Sequence, residues 1–556
     1  MSESKSEFNL IKEPWIRVMN KDYSVEEVSL HDAILKAHEF LGLAGETKAQ
    51  DFAILRFILA IMYTVFYRYD LNGEDIDLSE NPALAMDNWK AIWEKRQIPS
   101  EPVKKYFNEW CERFWLFDDK YPFYQSKAVE GKTEKPVSTA KIIGTLFESN
   151  NKKRLFPERM EDGRVLSYSE AARWLLHLNC FDDIAAKQPV PAHPWVGHLG
   201  LIALKGNTLF ETIMLNFCAS VDVDEEVYEE KPSWEQDNNT IEFNRAITIV
   251  PADQAALLSF MSRRIFLCHN EDKVTGYYLS GGDFLGTKTI NDKGKEVKNY
   301  YDEVFNEQMT LWAAYQEKEN KNAPYKFKPA LHTPEEKLWR KFGSIAGINK
   351  QDGGAFRRPG IIKWASELFK SKILPASYML QLETAAVIYD FKQSSSLPVA
   401  DVISDSLSFH AQLLEEKGAA WCSRIIMEIA KCDDAANQVK ILYKNLQFSN
   451  GREDKDAKTN QSGELDAQMR FYNSIDRPFR LWLEDLKAES DMEDYSTSLE
   501  KELIYIARRL GESLVAQTGS QSIFGRAENS SAKAFNMYMG AICKIFNLAK
   551  AGENNE

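Results

Sequence analysis

Phe8-Asn-Leu-Ile-Lys-Glu-Pro-Trp-Ile-Arg-Val18 sets two short apolar segments on either side of a Glu13-Pro14-Trp15 corner. Proline fixes its own φ and has no N–H to donate, so Pro14 predicts an edge strand or the entry to a strand. Trp15, Ile16 and Val18 then supply an apolar body able to seed a sheet. A polar turn at Asn20-Lys21-Asp22 and a second strand from Ser24 to Leu30 complete a small sheet unit. Ser29 is positioned to cap a helix around Asp32 to Phe40.

Outward from this unit, apolar spacing predicts helices over Asp51–Tyr67 and Met86–Arg96. The most apolar stretch, Ala53 to Tyr67, is interrupted by Arg56 and reads as too short to span a bilayer, so no membrane partner is expected. Tyr106, Phe107, Trp110, Phe114 and Trp115 describe one aromatic helix face across 101–117, a core feature. From about 118 to 400 short strand-like runs, such as Ala246–Val250 and Tyr277–Leu279, alternate with turns and some helices. Gly281-Gly282 and Asn291-Asp292-Lys293-Gly294 mark a hairpin or an exposed loop. Past 400, helical periodicity dominates roughly 402–448, 464–489, 495–516 and 530–549, with a polar linker at Ser449–Gly463. The expected fold is α+β: a large mixed N-terminal domain, 1–400, followed by a C-terminal four-helix bundle, 401–556.

A chain of 556 residues exceeds the size at which a single core stops growing. Its seven cysteines are odd in number and widely spaced, which reads as reduced, mostly buried thiols in a cytoplasmic protein. The polar start, Met1 to Glu7, lacks the apolar core of a secretory signal. A net charge of −14 argues against a surface that grips nucleic acid throughout. Basic islands at Lys152-Lys153-Arg154, Lys293/Lys295/Lys298, Lys318/Lys321/Lys326/Lys328 and Arg357-Arg358 instead suit a narrow nucleic-acid track.

No phosphate-binding glycine loop, zincin, nucleophile-elbow or C-x-x-C motif is present. The eight histidines contain no H-x-H pair, and His31-Asp32 falls at the expected helix start after Ser29. His193 and His198 flank Trp195 at a spacing that admits a metal site, although no cofactor is expected. Three functions stay open on the residues alone. They are a nucleic-acid-binding subunit, a cytoplasmic helical hydrolase using His193 and His198 with nearby carboxylates, and a scaffold that binds only proteins.

Five segments carry a resemblance. The opening N-L-I-x-x-x-W-I-x-V, Tyr121-Pro-Phe-Tyr-Gln125, Lys205-Gly-Asn-Thr-Leu-Phe-Glu-Thr-Ile-Met-Leu-Asn216, Glu230-Lys-Pro-Ser-Trp-Glu235 and Ala467-Gln-Met-Arg-Phe-Tyr472 stand in order along the chain. Together they resemble the CasA family, the large subunits of the type I-E CRISPR surveillance complex, Cascade. Glutamine replaces the family's usual acid at 468. The resemblance implies a non-catalytic subunit partnered by other Cascade subunits, the crRNA 5′ handle and duplex DNA carrying a protospacer-adjacent motif (PAM). It also implies strand separation and recruitment of a helicase-nuclease.

Residue by residue, the resemblance puts a glutamine wedge at Gln393, between Lys392 and Ser394 in a serine-rich turn. A solvated interdomain loop is the competing reading of that turn. The family's glycine loop falls at Trp195, Gly197 and His198, with fewer glycines than the family pattern. No lysine aligns cleanly with the family's lysine finger; Lys295 and Lys298 lie in a polar loop just upstream of the expected place, Lys298 being the candidate and an ordinary surface lysine the competing and preferred reading. The crRNA-handle loop falls at Phe147, Asn150, Lys152, Lys153 and Arg154, where an aromatic, amides and cations could stack and neutralise phosphate. The cysteine pairs that bind structural zinc in some members are absent here.

Overall fold

In the computed structural model the Glu13-Pro14-Trp15 corner separates two sheets. Glu7–Asn9 pairs antiparallel with Trp115–Phe117, whereas Ile16–Met19 runs between Val25–Val28 and Gly42–Leu43. Pro14 therefore marks a strand entry, and the strand it admits is central rather than an edge. Trp15 is fully buried and donates its indole N–H to the Leu10 carbonyl at 2.8 Å, which fixes the corner. The structure describes residues 7–78, 81–132, 135–143, 165–181, 195–219, 230–237, 248–251, 253–285, 287–290, 296–299, 307–316, 325–347, 356–375, 377–389, 399–451, 457–525 and 530–546.

The chain divides into two units. The first comprises 1–333, 355–367 and 381–406; the second comprises 334–354, 368–380 and 407–556. Where the sequence suggests a single boundary at 400, the second unit also takes in two earlier segments.

The first unit is built around the helix Lys48–Arg68, capped by the Thr47 side chain on the Gln50 N–H. Its 21 residues exceed the sequence expectation and are long and apolar enough to cross a membrane. Yet 94% of its most apolar window is buried inside the protein, which makes it a core helix. Ser29 caps its helix as expected, accepting from the Asp32 N–H, but that helix stops at Leu35. The aromatic face expected over 101–117 is broken: the helix is Ser100–Trp110, and Trp115–Phe117 turns into a strand. Phe114 and Phe107 stay buried on either side of the break, so the core role of the aromatics survives the change of element. Arg263–Asn270 and Lys273–Gly281 form a hairpin, and a second hairpin joins Thr287–Ile290 to Glu296–Asn299.

Two of the resembling segments serve buried architecture here. Gln125 donates to the Leu116 carbonyl at 2.6 Å and accepts from the Leu267 N–H at 2.8 Å, joining two strands with one amide. Trp234 donates to the Tyr106 hydroxyl at 2.8 Å, and Glu235 receives the Arg68 guanidinium through both carboxylate oxygens.

In the second unit the helix Ala419–Ser449 packs against Ala457–Asp485, Met492–Ala516 and Ser531–Ile545. Helical periodicity expected from 402 begins later, because Val399–His410 is a strand. The expected linker is shorter than Ser449–Gly463, since the second helix starts at Ala457. Its first turns are polar because Gln461 and Ser462 are exposed, not because the helix has ended. Gly463 lets Tyr443 close in: a Cβ there would lie 2.2 Å from the tyrosine oxygen. All seven cysteines are free thiols, with Cys218, Cys422 and Cys432 buried.

Candidate nucleic-acid interface

Among the described candidates, Trp195, Gly197 and His198 form one short turn, with a 3-10 helix over Val196–His198. Trp195 and Gly197 are buried. The Arg56 guanidinium stacks 4.8 Å from the centroid of the Trp195 ring. Arg56 in turn forms a two-pronged ion pair with Glu307, 2.9 Å at each oxygen, with both side chains wholly buried. Burial alone would pull Arg56 down; the Glu307 carboxylate outweighs it and holds the guanidinium above its ordinary value. Trp195 is therefore an anchor facing inward.

Gly197 has a packing reason to be glycine. A Cβ at this position would lie 2.2 Å from the Tyr389 oxygen and 3.0 Å from the ring carbon that bears it. The Tyr389 ring occupies that space, and its hydroxyl donates to the Phe181 carbonyl. His198 lies against the same ring, centroids 5.3 Å apart and planes 27° apart. His198 is thus the half-buried member of the three.

From this turn the chain is held by backbone closeness. The Gly200 N–H donates to Thr310 Oγ1 at 3.0 Å, and a Cβ on Gly200 would meet the Ala330 carbonyl oxygen at 2.1 Å. Ala203–Lys205 then pairs antiparallel with the strand that ends at Tyr389, Gln381 opposite Lys205.

Lys298 lies on the hairpin strand Glu296–Asn299, and the register sets it opposite Lys288. Of the basic island Lys293/Lys295/Lys298, Lys298 thus falls on a hairpin strand. Arg357, from another basic island, covers the Trp312 ring at 4.1 Å. Gln393, Lys392, Ser394, Phe147, Asn150, Lys152, Lys153, Arg154, Lys295 and His193 lie outside the described residues.

The structure adds three residues to which the sequence gave no role at the site: Arg56, Glu307 and Tyr389. Tyr389 directly precedes 390–398, which holds Gln393; Arg56 supports Trp195, and Glu307 neutralises Arg56. The only signal for Arg56 was a charge inside an apolar helix. Tyr389 showed only as an aromatic ending an apolar run.

Fold and site together define a two-unit α+β protein whose candidate turn at 195–198 rests on buried anchors. The family described as CRISPR-associated protein Cse1 matches residues 9–510, and the chain belongs to that family. A CRISPR-associated protein CasA/Cse1 from Thermus thermophilus is 29% identical over 241 residues, 42% of this chain and 43% of the relative. The chain thus spans less than half the length of that curated relative in the matched region. The crystal structure of Thermobifida fusca Cse1 superposes with a TM-score of 0.81 at 24% identity, over 98% of this chain and 99% of that one. A chain of a CRISPR RNA-guided surveillance complex superposes with a TM-score of 0.70 at 15% identity, over 97% of this chain and 100% of that one.

Proposed function

We propose that this protein is a non-catalytic subunit of an RNA-guided CRISPR surveillance complex, in which it recognises the PAM in duplex DNA. On this reading it also begins strand separation and recruits the helicase-nuclease. The observation that carries the proposal is likeness along nearly the whole chain to a chain from such a complex, joined to membership of the Cse1 family. Gln393, flanked by Lys392 and Ser394, acts as the wedge that disturbs base stacking, a role an amide tip can fill without base-specific pairing. His198 presents the turn, Lys298 or Lys295 supplies a cation to the narrow groove, and the Phe147–Arg154 segment meets the crRNA 5′ handle. Minor-groove readout is degenerate, which suits recognition by a few polar groups.

The test compares complexes reconstituted with wild-type subunit or Gln393→Ala, on target duplexes with and without the PAM. Wild type should prefer the PAM duplex, and the substitution should reduce that preference by roughly tenfold. Equal binding of both duplexes by the assembled wild-type complex would refute the proposal.

A further inference from the structure

One strand of the first unit keeps an open edge. Gly42–Leu43 is outermost in its three-stranded sheet, next to Ile16–Met19. Leu43 stands opposite Val18, and the adjacent bond runs from the Ala44 N–H to the Arg17 carbonyl at 2.9 Å. In antiparallel pairing that spacing turns the Leu43 N–H and C=O away from Ile16–Met19, toward the side where no strand follows. Gly42–Leu43 and Ala203–Lys205 both line one cavity of about 290 Å³. Ala203–Lys205 is outermost in its own sheet too, but the Asn216 amide occupies both backbone groups of Leu204. The open edge is therefore that of Gly42–Leu43.

The cavity lining holds a mismatch. Phe52, Leu55 and Leu209 give it an apolar wall, and Glu383 receives Lys48 at 3.2 Å on one oxygen and Lys205 at 3.0 Å on the other. Asp51 Oδ1 accepts from the Gly45 N–H at 2.7 Å, while Oδ2 has only the Lys48 ammonium, 3.9 Å away. Among the described residues no donor lies within hydrogen-bond distance of that oxygen, although Asp51 is only 9% exposed. Gly42 leaves a second gap. It stands directly opposite Met19, so the two share the sheet face that meets the cavity. A Cβ on Gly42 would meet nothing within 4 Å, and its backbone is not left-handed, so neither packing nor conformation requires residue 42 to be bare.

We propose that Gly42–Leu43 receives an extended segment of a neighbouring subunit as an added strand, which turns an amide side chain, Asn or Gln, toward Asp51. The proposal rests on the function argued above. An added strand bonds through its main chain to Leu43 and sends alternate side chains to one face, that of Met19 and Gly42. The side chain over the cavity meets Lys48, Lys205, Glu383 and Asp51, whose charges balance. A cationic side chain there would stand beside Lys48 and an anionic one beside Asp51. An amide instead donates to Asp51 Oδ2 and accepts from Lys48, which supplies the buried carboxylate with the partner it lacks.

The test measures association of the full-length subunit with the remainder of the complex, assembled without it. Gly42→Val suits a strand and enters open space, so the free subunit should melt no lower than wild type. Its affinity for the assembly should nevertheless fall roughly tenfold to a hundredfold, because the added strand is blocked. Asp51→Asn keeps an acceptor for the Gly45 N–H but places a donor where Oδ2 stood, and should weaken association about tenfold without lowering the melting temperature. Hydrogen exchange at the Leu43 amide should slow on assembly. Wild-type affinity in either variant, or an unslowed Leu43 amide, would overturn the proposal and leave the proposed function standing. Slowing of the same amide in a dimer of the free subunit would give the edge to a second copy and overturn it as well. Failure of the wild-type subunit to join the assembly would remove the proposed function, and this proposal with it.

Discussion

Arg56 shows how a single residue can be conspicuous in a sequence and still conceal its purpose. Inside an otherwise apolar helix, a guanidinium announces that something opposite must neutralise it, because an unpaired buried charge is prohibitively costly. The sequence could not say what, since Glu307 lies 251 positions away. Nor could it show that the flat face of the cation would support Trp195. Breaking such a pair is expensive because the surviving charge is stranded, whereas replacing both members by apolar groups often costs little. Glu307→Gln or Arg56→Met alone should therefore lower the unfolding free energy by roughly 3–5 kcal/mol, and Arg56→Met/Glu307→Leu by much less. Urea unfolding of the three variants measures this. Single losses that simply add in the double variant would contradict the pairing argument. The same distinction governs Trp195 and Gly197. Their resemblance to a glycine loop was legible, but their inward orientation depends on Arg56 and Tyr389, which no local pattern connects to them.

At the scale of elements, the segment Lys205–Asn216 explains why a motif can be recognised without being a site. Thr208 caps the helix Leu209–Asn216, accepting from the Glu211 N–H. The Gly206 N–H donates to Thr212 Oγ1, and a Cβ on Gly206 would meet that of Glu211 at 2.1 Å, so the turn needs glycine for space. Asn216 bonds both backbone groups of Leu204, accepting from its N–H at 2.9 Å and donating to its carbonyl at 2.6 Å. One side-chain amide thereby substitutes for a neighbouring strand. Asn216→Ala leaves both groups buried and unsatisfied and should cost roughly 2–4 kcal/mol, whereas Thr208→Ala should cost about 1 kcal/mol. Thermal melts rank the two, and an Asn216→Ala protein as stable as Thr208→Ala would exclude this account. Helices with strong 3–4 residue spacing were legible from sequence because one face repeats within a few turns. The strand Val399–His410 was not, since its pairing with Met379–Tyr389 is set by partners outside its own window. The start of the helix Ala457–Asp485 was hidden for a related reason: a polar stretch, with Gln461 and Ser462 exposed, carries no apolar signature.

For the whole molecule, stability against pH is decided by opposing groups rather than by net charge. A chain of net charge −14 repels itself, and acidification relieves that repulsion, which by itself should stabilise the fold below neutrality. Two buried residues shape the curve further. Burial among Trp174 and Phe181 pulls the His177 imidazole down to about 3 from its ordinary 6.5. The unfolded chain therefore takes up this proton first, and the stability that depends on it is intact above about pH 6.5 and drains away as pH falls toward 3. At pH 5 the loss is about 2 kcal/mol. Asp51 works in the opposite sense. It lines a cavity of about 290 Å³ beside Lys48 and Glu383, and burial pushes its carboxyl up to about 6, against the Gly45 N–H and Lys48, which favour the charged form. Its contribution is full below the ordinary 3.8 and lost as pH rises through 6, so the charged form burdens the fold at neutral pH. Urea unfolding of wild type, His177→Phe and Asp51→Asn from pH 4.5 to 8 separates the two. His177→Phe should flatten the acid side, sparing about 2 kcal/mol at pH 5 relative to its own value at pH 7.5. Asp51→Asn should add about 1–3 kcal/mol at pH 8 and nothing near pH 4, since its amide keeps the bond from Gly45 without the charge. An acid limb unchanged by His177→Phe would shift the cause from this buried imidazole to the surface carboxylates, whose protonation proceeds over the same range.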